Sequence, residues 1–317
     1  MTFAEVAERL RTSTHARVET EFNLARYTTY RLGGPAALYV EPVAAADLQL
    51  LGEALREGDP GAPPSILILG RGSNLVISDQ GFPGVVIRMG AAFAWLKSAG
   101  PTGFVTGASS TLPQLANWAA RRSLTGMEFT ISIPGSVGGA VRMNAGAHGS
   151  EISDRLSSIT VFDLDGLELR QPSASSLGFA YRRSELTEKD LVIDATFQLE
   201  PGDPASIRER MDGYRKHRSD TQPGAAQNAG SVFKNPPGGS AGHLVEAAGL
   251  KGFRIGGAAV SELHANFFMA GEGATAQDIY DLVQEVRRRV RDSSGVELEP
   301  EIRFVGPFED RAAEALQ

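Results

Sequence analysis

The sequence predicts an α+β protein built in two unequal parts, and three observations carry that reading. Short apolar runs ending in glycine alternate with helical periodicities as far as Leu199. The stretch Glu200-Pro201-Gly202-Asp203-Pro204 then reads as a linker, because its prolines and glycine continue neither a helix nor a strand. Beyond it a smaller group of elements contains the clearest amphipathic helix in the chain. At 317 residues there is length for about two domains, each able to bury a core.

Taken in order, residues 44–56 place Leu48, Leu51 and Leu55 at helical spacing, and Ile66-Leu67-Ile68-Leu69 is a buried strand running into Gly70. Val85-Val86-Ile87 and Phe104-Val105 are further strands. Residues 112–122 form a helix with Leu115, Trp118 and Ala119 on one face. Residues 159–169 predict a hairpin closed at Asp165-Gly166, and 191–199 the last strand of the larger part. Past the linker, 205–217 is a charged surface helix and 238–257 a second glycine-rich tract. In 275–291, Ile279, Leu282, Val283, Val286 and Val290 share a face. The basic turn from Arg287 to Arg291 suits the negative end of that helix dipole. Residues 296–305 close as a strand.

Composition narrows the function. The 42% hydrophobic and 22% charged content is that of an ordinary globular protein. A net charge of −7 argues against non-specific binding to nucleic acid or anionic membranes. With no cysteine there is no disulfide, thiolate zinc site or cysteine nucleophile. Residues 1–11 lack the apolar core of a signal peptide, and no apolar run approaches the ~18 residues of a membrane span. The expectation is a soluble cytoplasmic protein with neither nucleic acid nor membrane as partner.

Three glycine loops stand out: Gly33-Gly34, Gly70 to Asn74, and Ser132 to Ala147. In the third, Ser132-Ile133-Pro134-Gly135-Ser136-Val137-Gly138-Gly139 is followed by Asn144-Ala145-Gly146-Ala147, with no nucleophile–base pair and no metal-ligand set. Glycine lets the main chain approach a ligand closely, and successive free N–H groups make an anion-binding nest. The loop therefore predicts a pyrophosphate site and a dinucleotide cofactor. One such loop alone would be an ordinary turn; three favour binding. Gly70-Arg71-Gly72-Ser73-Asn74-Leu75 departs from the Rossmann fingerprint at Leu75, and no P-loop motif occurs.

Five blocks in this order resemble the UDP-N-acetylenolpyruvoylglucosamine reductases, from about Asn23 to Gly306. They are Leu69 to Leu75, Ser132 to Ala147, Tyr181-Arg182-Arg183-Ser184, Asn228-Ala229-Gly230-Ser231-Val232-Phe233-Lys234-Asn235-Pro236, and Leu298-Glu299-Pro300-Glu301-Ile302. The first two are shared with the wider vanillyl-alcohol-oxidase-like (PCMH-type) flavoproteins and imply FAD; the last three are specific. The resemblance implies a two-lobed FAD-binding region over 20–200, its lobes meeting near 65–85. A smaller α+β substrate-binding domain over 205–306 and a tail over 307–317 follow. It further implies NADPH as co-substrate and reduction of the enolpyruvyl ether of UDP-N-acetylglucosamine to UDP-N-acetylmuramate, in peptidoglycan precursor synthesis. Non-covalent FAD would be held by Gly70, Arg71, Gly72, Ser73, Asn74, Leu75, Ser132, Pro134, Gly135, Ser136, Gly138, Gly139, Asn144, Gly146 and Ala147.

The same resemblance assigns the chemistry. Arg182, which on its own reads as a surface arginine, would hold the substrate's carboxylate and developing enolate. Ser231, otherwise a loop serine beside Gly230, would donate the proton, with Lys234 stabilising the alkoxide left behind. Glu301, on the predicted final strand and otherwise an exposed carboxylate, would act at the carboxyl end of the substrate. Lys234, Asn235, Arg218 and Arg254 would hold the sugar nucleotide, because a diphosphate needs cations and N–H donors. The chain resembles the shorter of two subtypes: Tyr214 is the sole tyrosine between Leu199 and Asn228, and is expected to face along its helix. Phe268 to Glu272 departs from the family pattern, which leaves contacts from Ala270 or Glu272 open. His148 and His264 stay open between core, rim and, for His148, flavin attachment. Two other readings remain: an oxidase of the same superfamily, and a non-catalytic nucleotide-sugar-binding regulator.

Overall fold

Two helices cover a mixed sheet in the first lobe. Helix α1 (Phe3–Ser13) starts at Thr2, which exchanges hydrogen bonds with Glu5, and α2 (Ala45–Arg56) starts where the Asp47 carboxylate accepts the Val43 and Ala44 amides. Val6, Ala7 and Leu10 of α1 and Leu48, Leu51 and Ala54 of α2 are buried against Leu38, Val40, Val85 and Ile87. The sheet order is Arg17–Asn23, Pro35–Glu41, Phe82–Arg88, Ile66–Leu69. Its last two strands run parallel with Ile66 opposite Val85, so the edge strand delivers the chain into Gly70. The structure, a computed structural model, describes residues 1–57, 63–224 and 226–310.

The second lobe is a five-stranded antiparallel sheet ordered Glu168–Arg170, Leu156–Asp163, Asp190–Gln198, Gly103–Gly107, Leu96–Ser98. Helices α3 (Leu112–Ala120) and α4 (Val137–Arg142) bury Leu112, Leu115, Trp118, Val137 and Val141 with Phe104 and Phe197. Each such side chain contributes roughly 1.5–3 kcal/mol on burial. Helix α5 (Pro204–Thr221) lays Ile207 and Met211 on Ala116 of α3, and its Arg210 reaches the buried Glu128 at 2.7 Å.

The C-terminal elements have their own core. Helix α7 (Ala276–Ser294) turns Ile279, Leu282, Val283, Val286 and Val290 into one buried face, with Ala241 and Val245 of α6 (Ala241–Ala247) and the three-stranded sheet Arg254–Ile255, Ala258–Val260, Phe268–Ala270. Thr275 and Asp278 cap α7 at its start, Asp79 accepts two further amides there, and Gly295, with φ +72°, ends it.

Contacts divide the chain into two compact units, and five expectations change. The first unit is 1–22, 37–71 and 84–218; the second is 23–36, 72–83 and 219–317. The expected linker is partly a strand: Glu200–Pro201 pairs with Leu124–Thr125, and the packing of α5 moves the boundary to Arg218. Residues 72–83 join the C-terminal unit because Leu75–Ile77 pairs in parallel with Arg303–Val305. Residues 23–36 join it through buried Tyr30, whose hydroxyl donates to the Phe268 carbonyl at 3.1 Å. The predicted strand over 296–305 shrinks to Arg303–Val305, leaving Glu301 in a bend after the single Pro300–Phe233 bridge. Of the expected tail, Phe308 stacks on Tyr280 and Glu309 exchanges hydrogen bonds with Gln277, so 307–310 are held; 311–317 lie outside the described residues. No described helix is long and apolar enough to cross a membrane.

Candidate active site

In the first unit a cavity opens where two of the predicted glycine loops touch. Gly70 and Arg71 line it from one loop, and Ser136, Gly138 and Gly139 from the other. Arg88, Ser109 and Arg142, which the sequence reading did not single out, line it too. A Cβ on Gly70 would lie 2.6 Å from Ser136 Oγ, and one on Gly138 3.2 Å from Ala108 Cβ. A side chain at Gly70 would press on the Ser136 hydroxyl, and one at Gly138 on Ala108, so glycine allows this close approach. The expected run of free amides is shorter than predicted: Val137 and Gly138 donate to the Ser110 and Ala108 carbonyls at 3.0 and 2.9 Å. Ser136 faces Thr111 as a non-hydrogen-bonded pair, which keeps its N–H out of the ladder. The Ser136 and Gly139 amides make no hydrogen bond among the described residues. With Arg71 and Arg142 also in the lining, beside Asp190, which Arg170 and Thr187 engage, that donor set fits a phosphate.

The rest of the predicted cofactor set does not line this cavity. Ser132 Oγ donates to Phe129, and the Gly135 carbonyl accepts the Leu112 amide. Pro134 is absent from the lining. Gly72, Ser73, Asn74 and Leu75 belong to the second unit. There Asn74 Nδ2 donates to the Glu301 carbonyl at 3.1 Å, and Leu75 opens a buried strand. Asn144 is fully buried with both ends of its amide used, on the Ala180 carbonyl at 3.2 Å and the Ser153 amide at 3.0 Å. Those two bonds make its side chain part of the local scaffold.

That scaffold places Arg182. Ala180 and Arg183 exchange two backbone hydrogen bonds of 3.0 Å, making Tyr181-Arg182 the centre of a tight turn. Arg182 has φ +56°, at the position where a type II turn requires a positive φ. Three bonds fasten the turn to the end of the third glycine loop. Ser184 Oγ donates to the Arg142 carbonyl at 2.7 Å, Asn144 holds Ala180, and Arg182 Nη2 donates to the Gly146 carbonyl at 2.9 Å. Gly146–Ala147 in turn pairs with Ser150–Glu151 around His148 and Gly149, both at positive φ as in a type I′ hairpin.

Helix α5 adds a cluster on the other side of the same loop. Tyr214 stacks on His148 with ring centroids 3.9 Å apart, so it faces the loop rather than along its helix. His148 Nε2 lies 3.3 Å from Ser132 Oγ, and burial followed by the nearby His217 lowers the His148 pKa. Arg218 donates to the Ser132 carbonyl. Its guanidinium has no carboxylate partner among the described residues, and burial lowers its pKa. A cation desolvated in that way attracts an anion.

In the second unit Ser231 and Glu301 come together although 70 positions separate them. The Glu301 amide donates to the Val232 carbonyl at 2.7 Å, next to Ser231. Ser231 is half-buried, pairs with Phe267, and its hydroxyl makes no hydrogen bond among the described residues. Lys234 follows, its amide on the Glu299 carbonyl at 2.9 Å and its ammonium on the Glu299 carboxylate. Asn235 Oδ1 accepts the Ala241 amide at the start of α6. Arg254 is exposed without an ion-pair partner among the described residues. In the divergent stretch Ala270 is buried and its amide is taken by the Gln227 carbonyl, which fits a core role. His264 sits half-buried against Phe267, its Nδ1 accepting the Asn266 amide; burial, ahead of its backbone and ionic neighbours, lowers its pKa. Asn266 was missed. Its signal was a lone amide in the run Ala265-Asn266-Phe267-Phe268, where a buried polar group must spend its bonds on the protein.

Residues 36–170 match the family model of an FAD-binding domain, and 222–305 match the C-terminal domain of UDP-N-acetylenolpyruvoylglucosamine reductase. The chain is 43% identical over 286 residues to the reductase of that name from Sphingopyxis alaskensis, covering 90% of this chain and 94% of that one. The chain belongs to the UDP-N-acetylenolpyruvoylglucosamine reductase family. The reductase from Methylorubrum extorquens strain PA1 is 44% identical over 285 residues, covering 90% of each chain. The crystal structure of the Thermus caldophilus reductase superposes with a TM-score of 0.76 at 35% identity, over 92% of this chain and 99% of that one. The fold is accordingly the expected α+β flavoprotein of this family, and the protein is an FAD-containing oxidoreductase. A membership shared along nine-tenths of the chain excludes neither lobe nor the C-terminal unit.

Proposed function

We propose that this protein reduces the enolpyruvyl ether of UDP-N-acetylglucosamine to UDP-N-acetylmuramate, drawing electrons from NADPH through non-covalent FAD, in the cytoplasmic supply of peptidoglycan precursors. The observation that carries the reading is the placement of Ser231 beside Glu301 by the Glu301–Val232 hydrogen bond of 2.7 Å, within a chain that belongs to this reductase family. The first unit carries the residues proposed for the cofactor, and the second carries Ser231, Lys234, Asn235, Arg254 and Glu301 for the substrate. FAD, when bound, supplies the hydride chemistry.

Gly70, Arg71, Ser136, Gly138, Gly139 and Arg142 would hold FAD, since their cavity offers free amides, a hydroxyl and arginine side chains. Arg182, fixed in its strained turn, binds the substrate carboxylate and the charge that builds as the double bond is reduced. A preorganised donor of that kind is worth roughly 3 kcal/mol at the transition state. Ser231 gives its hydroxyl proton to the carbon beside the carboxylate. Glu301 acts at that same end, and Lys234 stabilises the alkoxide. Arg218, Arg254 and Asn235 hold the diphosphate, neither arginine having a carboxylate partner among the described residues. The stack of His148 on Tyr214 favours a structural role for that histidine over flavin attachment. Steady-state NADPH oxidation tests the reading: it should require the enolpyruvyl sugar nucleotide. Oxygen-dependent turnover without that substrate would instead mark an oxidase.

A further inference from the structure

We propose that Asn266 is a positioning residue for this reaction, its side-chain amide setting the backbone that carries Ser231 and, through Val232, the bend that carries Glu301. The proposal rests on the reading of Ser231 as proton donor.

Asn266 is 3% exposed and uses every part of itself on the Ser231 segment or its support. Its Oδ1 accepts the Phe233 amide at 2.9 Å, and its Nδ2 donates to the Phe233 carbonyl at 2.8 Å. Its own carbonyl accepts the Val232 amide at 2.8 Å, and its own amide donates to His264 Nδ1 at 3.2 Å. Pairing that starts at Ser231 opposite Phe267 would bring Ala265 opposite Phe233. The Asn266 side chain stands in for that peptide instead. A primary amide offers one acceptor and one donor side by side, as an extended strand does, and only one orientation satisfies both ends of Phe233.

On its other side the same short segment holds the second catalytic candidate. The Val232 carbonyl accepts the Glu301 and Ile302 amides at 2.7 and 3.4 Å, and the Lys234 amide donates to Glu299. Residues 231–234 thus run between two supports, the backbone of 299–302 on one flank and the side chain and carbonyl of Asn266 on the other. The Ser231 hydroxyl has no hydrogen bond of its own among the described residues, so its aim follows from where the backbone is put. A displacement of about 1 Å at such a group costs about 10²-fold in rate.

The test separates positioning from mere support. Asn266→Ala removes both contacts with Phe233, and Asn266→Asp keeps the acceptor while turning the donor into a second acceptor against a carbonyl. Each variant is loaded with FAD and followed by rapid mixing in two steps, bleaching by NADPH and recolouring by the enolpyruvyl sugar nucleotide. Bleaching should keep the wild-type rate, and recolouring should slow by about 10²-fold. Introduced into a Ser231→Ala background, Asn266→Asp should cost little more, because both changes remove the same function. Equal slowing of both steps overturns the proposal, as does a full additional loss in the Ser231→Ala background. If Asn266→Ala does not fold, Asn266→Asp decides; if neither folds, Asn266 supports the whole unit and the proposal falls. A Ser231→Ala enzyme that recolours at full speed brings down the proton-donor reading itself, and shows this without any Asn266 variant.

Discussion

Substituting Gly70 by alanine tests whether contact between the two glycine loops builds the cofactor site. The added Cβ would sit 2.6 Å from Ser136 Oγ, about 1 Å inside van der Waals separation. Forcing extra volume into such a contact costs roughly 1–3 kcal/mol. If the loops part to relieve it, the cost falls on FAD binding as roughly 5- to 150-fold weaker affinity. The assay is titration of the stripped protein with FAD, followed by flavin fluorescence. Gly213→Ala is the control: its Cβ meets nothing within 4 Å on α5, so affinity should hold while stability rises by up to about 1 kcal/mol. Adding Ser136→Ala to Gly70→Ala removes the clashing oxygen, and the remaining Cβ is 3.8 Å away, so part of the affinity should return. A Gly70→Ala protein that binds FAD as tightly as the wild type would refute the reasoning.

The other residues give sharper contrasts. Ser231→Ala should bleach with NADPH at the normal rate yet recolour with the sugar nucleotide about 10²–10⁴-fold more slowly, while Ser231→Cys recovers part of that step; stopped flow checks both. Glu301→Gln should bind the sugar nucleotide nearly normally, by calorimetry, and lose turnover by orders of magnitude; an undiminished rate would make Glu301 structural. Glu128 is pushed up by burial, but Arg210, Thr125 and the Gly126 amide outweigh that and hold its pKa below the usual carboxylate value. Its stabilisation is therefore complete above the unfolded value and is lost as pH falls through the lower folded one. Glu128→Gln should cost about 1–2 kcal/mol near neutrality, discounted because Arg210 is 43% exposed, and should flatten the acid limb of urea midpoints.

What local pattern could carry was legible in the chain. The runs Ile66 to Leu69 and Val85 to Ile87, the helix ending in Gly295 and the hairpin after Leu156 all follow from periodicity and turn residues. What depended on distant pairing was not. Nothing in Leu75-Val76-Ile77 announces a parallel partner at Arg303-Phe304-Val305, so the second unit's claim on 72–83 was invisible. The candidate site divides in the same way. Gly70 and Ser136 stand out in the sequence because they lie in glycine-rich loops, and the structure brings those two loops close together. Asn144 is expected at the cofactor because it follows a glycine loop, but the sequence hides its partners in the fold, Ala180 and Ser153. Asn266 went unnoticed for the opposite reason, its neighbours being apolar and its partner 33 residues away.

Anaerobic product stoichiometry tests the central claim most directly. The FAD-loaded protein is given limiting NADPH with excess enolpyruvyl sugar nucleotide, and both nucleotides are followed by mass spectrometry. One UDP-N-acetylmuramate, two hydrogens heavier than its precursor, should form for each NADPH consumed, and Ser231→Ala should form almost none in the same time. NADPH consumed without the heavier product, or product formed at the same rate by Ser231→Ala, would contradict the account.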